Sequence, residues 1–214
     1  RSSSYAPQTA EALIETIPIS GNLDHFWKDL LELEENGEII KTRFGTYGLP
    51  EKMGLVVGRF QLTSKGFGFV IPDNKGERPD VFIPPRALGG AMNNDRVMAR
   101  VESSSGGNKP EGEIIRIITH ANNKIVGIFH QSGDFGFVTP DDERIGQDIY
   151  IMKRHFGGAK TNQKVVAEIT EWPVERRNAE GKIIEILGNV GDVGLEILSI
   201  IKQNDLPLEF PPQV

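Results

Sequence analysis

The hexamer Lys65-Gly66-Phe67-Gly68-Phe69-Val70 returns, changed at its first two positions, as Gly133-Asp134-Phe135-Gly136-Phe137-Val138. The echo extends on both sides. Val57-Gly58-Arg59-Phe60 precedes the first copy and Val126-Gly127-Ile128-Phe129 the second. Asp80-Val81-Phe82-Ile83 follows the first copy and Asp148-Ile149-Tyr150-Ile151 the second. Gly-Gly-Ala recurs at 89–91 and 157–159, and each unit closes on a similar strand, residues 111–115 and 180–184. Phe67 and Phe135 stand 68 positions apart. That period is too long for a solenoid repeat and suits a small β-barrel, so the repeat predicts two tandem β domains.

On a strand, residues at i and i+2 point to the same face. Phe67 and Phe69 therefore share a face, and the glycines that bracket Phe67 are expected to leave a flat surface that planar ligands can approach closely. Phe82 extends this platform if its strand lies alongside, and Phe60 is a fourth candidate ring. In the second copy the corresponding rings are Phe129, Phe135, Phe137 and Tyr150. Nucleobases are the matching ligands, because every base has a π-face and stacks regardless of sequence. Lys65 and Arg59 are the nearest cations for phosphate, with Lys75, Arg86 and Arg96 close in sequence. Periodicity by itself favours another reading, in which alternating Phe is half of a barrel core and Gly marks a bend.

The chain of 214 residues carries a net charge of −6, which argues against a strongly electrostatic nucleic-acid binder. The charge is unevenly spread. Residues 54–119 hold 9 Lys/Arg against 7 Asp/Glu and are the positive segment, whereas 1–53, 120–188 and 189–214 are all negative. Stacking is thus expected to supply much of any affinity. No apolar run approaches 18 residues, so no helical membrane span is expected. The absence of cysteine excludes disulfides and thiolate metal sites and suits a cytoplasmic setting. The four histidines, 25, 120, 130 and 155, show no metal-ligand spacing. Arg1-Ser2-Ser3-Ser4 lacks the apolar segment of a secretory signal.

Four segments are expected. Residues 1–53 read as helix (9–17), helix (24–36, capped at Asn22-Leu23-Asp24) and a β-hairpin over 38–49, the order of a partial winged helix-turn-helix. Leu23, Phe26, Trp27, Leu30, Leu31 and Leu33 are expected to form its core. Lys41 and Arg43 lie on the wing, where a solvated hairpin is the simpler role. The first barrel is expected over 54–119 and the second over 120–188. Each is interrupted before its last strand, by Ser103–Pro110 and by 171–179, where Trp172 is expected to pack on its barrel. Residues 189–214 hold a helix at 194–202 and a proline-stiffened exit, Leu206-Pro207-Leu208-Glu209-Phe210-Pro211-Pro212.

Lys-Gly-Phe-Gly-Phe-Val followed by Asp-Val-Phe-Ile resembles the two nucleic-acid-binding motifs of the cold-shock domain, a five-stranded OB-fold barrel. The resemblance implies single-strand binding by stacking and places Phe60 at an exposed aromatic position. In the second repeat Asp134 sets a carboxylate where phosphate would run, so weaker binding, or a role as spacer and channel wall, is expected there. At larger scale the order of winged helix, Tyr47–Lys52 junction, two barrels and Leu-Pro-x-Glu-Phe-Pro exit resembles the N-terminal part of bacterial ribonuclease R, of the ribonuclease II family. The resemblance implies a segment that gathers single-stranded RNA for a 3′-to-5′ exoribonuclease. No catalytic residue and no cofactor are expected within it, and magnesium is expected in a catalytic domain beyond residue 214. Asp141-Asp142 is expected to form a turn rather than a metal site. The alternative is a non-catalytic RNA chaperone or regulator. Either is expected to be a cytoplasmic monomer.

Overall fold

In the computed structural model, residues 5–17, 22–74, 78–102, 110–174, 177–204 and 206 are described. Lys75, most of the loop at 103–110 and the prolines of the C-terminal exit lie outside the described residues. The fold is mainly β. Contacts divide the chain into two compact units, residues 1–61 with 67–120, and residues 62–66 with 121–214.

The N-terminal part holds helices α1 (Ala10–Thr16) and α2 (Leu23–Glu35), each capped as its sequence dictates: the Thr9 hydroxyl accepts from the Ala12 N–H and the Asn22 side chain from the Asp24 N–H. Strand β1 (Gln8–Thr9) joins the hairpin strands β2 (Ile40–Lys41) and β3 (Thr46–Gly48) in a small antiparallel sheet of order β1-β3-β2. The apolar stripe of α2 divides, which corrects the expectation of one core. Leu30 is buried and Phe26 half-buried, but Leu23, Trp27 and Leu31 are about half exposed. Six apolar positions span a wider arc than the sheet and α1 can cover.

Barrel 1 is built from β4 (Leu55–Leu62), β5 (Gly68–Pro72), β6 (Val81–Ile83), β7 (Arg96–Glu102) and β8 (Glu111–Thr119), closed in the order β4-β5-β6-β8-β7. Barrel 2 repeats it with β9 (Lys124–Ser132), β10 (Phe135–Pro140), β11 (Ile149–Met152), β12 (Gln163–Glu171) and β13 (Glu180–Asn189). In each barrel a single parallel pair, β6 with β8 and β11 with β13, closes an otherwise antiparallel circuit. Both barrels are OB-folds. Register shifts in β7–β8 and β12–β13 supply the bends a small barrel needs. Asn94 and Asn162 hold the same left-handed backbone, φ 70° and 67°, just before β7 and β12.

Alternation sorts each strand. Phe60, Val70, Val81, Ile83 and Val97 fill barrel 1, and Phe129, Val138, Ile149, Ile151 and Val165 fill barrel 2, all with essentially no exposed surface. Helix α3 (Leu195–Gln203) follows barrel 2, with Leu195 buried.

Candidate nucleic-acid interface

The glycines of the repeated motif do not do what the sequence suggests. Gly68 and Gly136 lie on the inward face of their strands, where an added Cβ would collide with the ring of Phe60 or Phe129. These two phenylalanines are fully buried under β5 and β10. A ring with no accessible surface cannot stack a base, so Phe60 and Phe129 leave the candidate interface and join the core. The GlyPheGlyPhe pattern therefore serves two layers: small residues inward to admit one large core ring, aromatic residues outward.

On barrel 1 the outward rings cluster. Phe69 and Phe82 are directly paired across β5 and β6, with centroids 5.7 Å apart. Phe67 completes the group, 5.9 Å from Phe69 at 87° and 5.6 Å from Phe82 at 48°. All three are half-buried. Edge-to-face packing satisfies the ring quadrupoles internally while a face of the group stays open to solvent. Lys65 is exposed in the β4–β5 turn, beside Gly66 at φ 81°, and Arg59 is exposed on β4.

Barrel 2 keeps the aromatic faces but arranges them as two pairs. Phe135 lies nearly parallel to Tyr150, 5.7 Å between centroids at 23°, and is the most open of these rings at 42% exposed. Phe137 pairs with His130, 5.2 Å apart at 31°. His130 was not among the sequence candidates; its signal was the hairpin register, which sets it opposite Phe137. The turn is also tighter than in barrel 1. Ser132 pairs with Phe135 across a two-residue loop whose first member, Gly133, has φ 63°, the geometry that requires glycine in a type II′ hairpin.

Asp134 was expected to repel phosphate. It is engaged: its carboxylate accepts from the Lys153 ammonium at 2.6 Å, and that hydrogen bond and charge hold its pKa below the usual carboxylate range. Lys153 begins a short 3-10 helix, Lys153-Arg154-His155, directly after β11. The local charge beside Phe135 is thus not that of a bare carboxylate.

Asp141 and Asp142 are likewise committed. Asp141 meets Lys164 at 3.0 Å, and Asp142 caps the 3-10 helix Glu143–Ile145 while accepting from the Arg144 guanidinium at 2.9 Å. Magnesium would have to displace a cation from each, so this pair does not fit a metal. Trp172, at the start of the last interruption of barrel 2, is half-buried.

The two barrels match family models in turn: residues 58–117 match a model described as Ribonuclease B OB domain, and residues 137–211 one described as Cold shock domain. Ribonuclease R of Thermotoga maritima is 36% identical over 188 residues, 86% of this chain and 26% of that protein. Ribonuclease R of Vibrio parahaemolyticus is 31% identical over 211 residues, 97% of this chain and 25% of that protein. This chain is related to ribonuclease R over most of its length. It spans about a quarter of those relatives. The ribonuclease R of Mycoplasma genitalium, solved in apo form and in complex with ribose methylated single-stranded RNA, shares the fold, with a TM-score of 0.64, 20% identity, and coverage of 73% of this chain and 25% of that one.

Proposed function

We propose that this chain is the RNA-gathering segment of a ribonuclease R-like 3′-to-5′ exoribonuclease, a hydrolase acting in RNA degradation. The observation that carries the proposal is the pair of outward aromatic groups, Phe67-Phe69-Phe82 on one OB barrel and Phe135-Tyr150 with Phe137-His130 on the other. Unpaired bases stack on such groups, and duplex bases cannot, since their faces are already covered. The single-stranded RNA bound by the Mycoplasma genitalium relative and the coverage of a quarter of the ribonuclease R length support a segment that binds while the remainder of the protein cleaves.

In this reading the barrels guide the 3′ end toward a catalytic domain outside the chain, where magnesium held by carboxylates would supply Lewis-acid chemistry. The N-terminal helices and hairpin act as a winged helix whose exposed Lys41 and Arg43 border the wing. In this reading the protein works in the cytoplasm as a monomer. Among the described residues, no helix is long and apolar enough to cross a membrane.

The test is a titration of single-stranded RNA and of duplex of equal length into the purified chain, with a parallel assay for cleavage in magnesium. Preference for the single strand without cleavage is expected. Equal or tighter duplex binding would overturn the stacking account, and 3′-end trimming abolished by changing Asp141 and Asp142 would overturn the division of labour.

A further inference from the structure

The two barrels differ at two positions that change together. Aligned on Phe67 and Phe135, Gly66 of barrel 1 is Asp134 in barrel 2; aligned on Phe82 and Tyr150, Pro85 is Lys153. Barrel 1 has neither partner of the ion pair, and barrel 2 has both, 2.6 Å apart on an open surface where Asp134 is 87% and Lys153 65% exposed. A third difference lies alongside. In barrel 1 the 3-10 helix arginine, Arg86, is held by Glu111 at 2.9 Å. In barrel 2 the equivalent carboxylate, Glu180, is taken at 2.8 Å by Arg177 from the loop before β13. Its former partner position, Arg154, is left exposed and pairs with no carboxylate among the described residues; its Nε lies 3.3 Å from His155 Nε2. Met152, the residue just before this basic triplet, is the cross-strand partner of Phe135. Lys153, held by the residue that precedes Phe135, thus stands beside the most exposed ring of the interface, and Arg154 follows it in the chain.

We propose that Lys153 and Arg154 form a phosphodiester-binding site of barrel 2, and that Asp134 is a built-in competitor which occupies Lys153 until a nucleic-acid phosphate displaces it. The proposal rests on the RNA-binding reading above. A charge-assisted contact to phosphate replaces one of the same kind to Asp134, so the exchange lowers affinity without removing the site. Binding at barrel 2 then discriminates for strands that bring a stacked base and a phosphate together, since neither alone opens the pair. The exchange is also salt-sensitive, because each phosphate neutralised releases counterions.

The test is a double-mutant cycle on the whole chain: wild type, D134N, K153Q and D134N/K153Q, each titrated with fluorescently labelled oligouridylate over a range of salt. D134N is expected to tighten binding by about two- to fivefold, the worth of an exposed ion pair. K153Q is expected to weaken binding and to shallow the salt dependence by about 0.7 log units per log unit of salt. In the K153Q background the gain from D134N should vanish. R154Q should weaken binding whether or not Asp134 is present. An equal gain from D134N with and without Lys153 would mean plain repulsion and overturn the competitor. No effect of K153Q or R154Q would overturn the site. If Phe135→Ala weakens binding while the cycle shows no coupling, this inference falls and the stacking reading stands; if the wild type binds no single strand, both fall. All the substituted side chains are exposed, and thermal unfolding verifies that each variant is folded.

Discussion

Lys164 takes in barrel 2 the place that Arg96 takes in barrel 1. Each lies at the start of the fourth strand of its barrel and reaches back to the aspartate that follows the second, Lys164 to Asp141 at 3.0 Å and Arg96 to Asp73 at 2.8 Å. Each also ties in a neighbouring helix. Arg96 donates to the Asn36 carbonyl at the end of α2 at 2.8 Å, and Lys164 reaches Glu196 of α3 at 3.3 Å. Burial differs: the Lys164 side chain is 6% exposed and that of Arg96 38%.

That difference sets the cost of removal. Lys164→Ala would leave Asp141, itself only 23% exposed, without its cation, and should cost about 1–3 kcal/mol of stability. Arg96→Ala breaks a pair open to solvent on both sides and should cost about 0–1 kcal/mol. Denaturant unfolding of both variants checks the order, which would be reversed if Arg96 held the N-terminal part in place by itself.

The core placement of the paired phenylalanines makes the motif glycines sensitive. Gly68→Ala sets a methyl group against both the Phe60 ring and the Gln61 carbonyl oxygen, and overpacking of this kind costs about 1–3 kcal/mol or more. Phe60→Leu should recover part of that loss in the double variant. No recovery would mean that the clash with the Gln61 carbonyl, and not with the ring, sets the cost.

Asp142 carries a pH dependence whose sign is fixed by its surroundings. Partial burial pushes its pKa up, but the Arg144 side-chain and backbone hydrogen bonds and charge outweigh this and hold it below the usual carboxylate range. A depressed folded-state pKa gives stability that is present above the unfolded value, about 4, and lost as pH falls below it. Asp142→Ala should therefore cost about 0.5–2 kcal/mol at neutral pH, the worth of a cap. In acid the cost should shrink, as measured by thermal unfolding at the two pH values.

The duplicated motif made the two barrels legible in the sequence, because strand alternation and the 68-residue echo act over whole strands. The outward rings Phe67, Phe69, Phe82, Phe135, Phe137 and Tyr150 were legible for the same reason, since their faces follow from the period of two. What the period could not decide was which face is outward for Phe60 and Phe129, whose inward aim depends on the glycine that each covers in the next strand. His130 was hidden because its partner is set by hairpin register. The Lys153 contact to Asp134 spans 19 positions and depends on where β11 ends, which no local pattern reports. The wide apolar arc of α2 was visible, but how much of it the small sheet covers was a tertiary fact.

The central claim is that the outward rings bind bases and the inward rings hold the barrels. Phe67→Ala and Phe60→Ala, each measured for affinity to single-stranded RNA and for stability in denaturant, separate the two layers within one barrel. Phe67→Ala should lose about 1–3 kcal/mol of binding with little change in folding, and Phe60→Ala about 3–5 kcal/mol of stability. Unchanged RNA affinity in a well-folded Phe67→Ala protein would contradict the account.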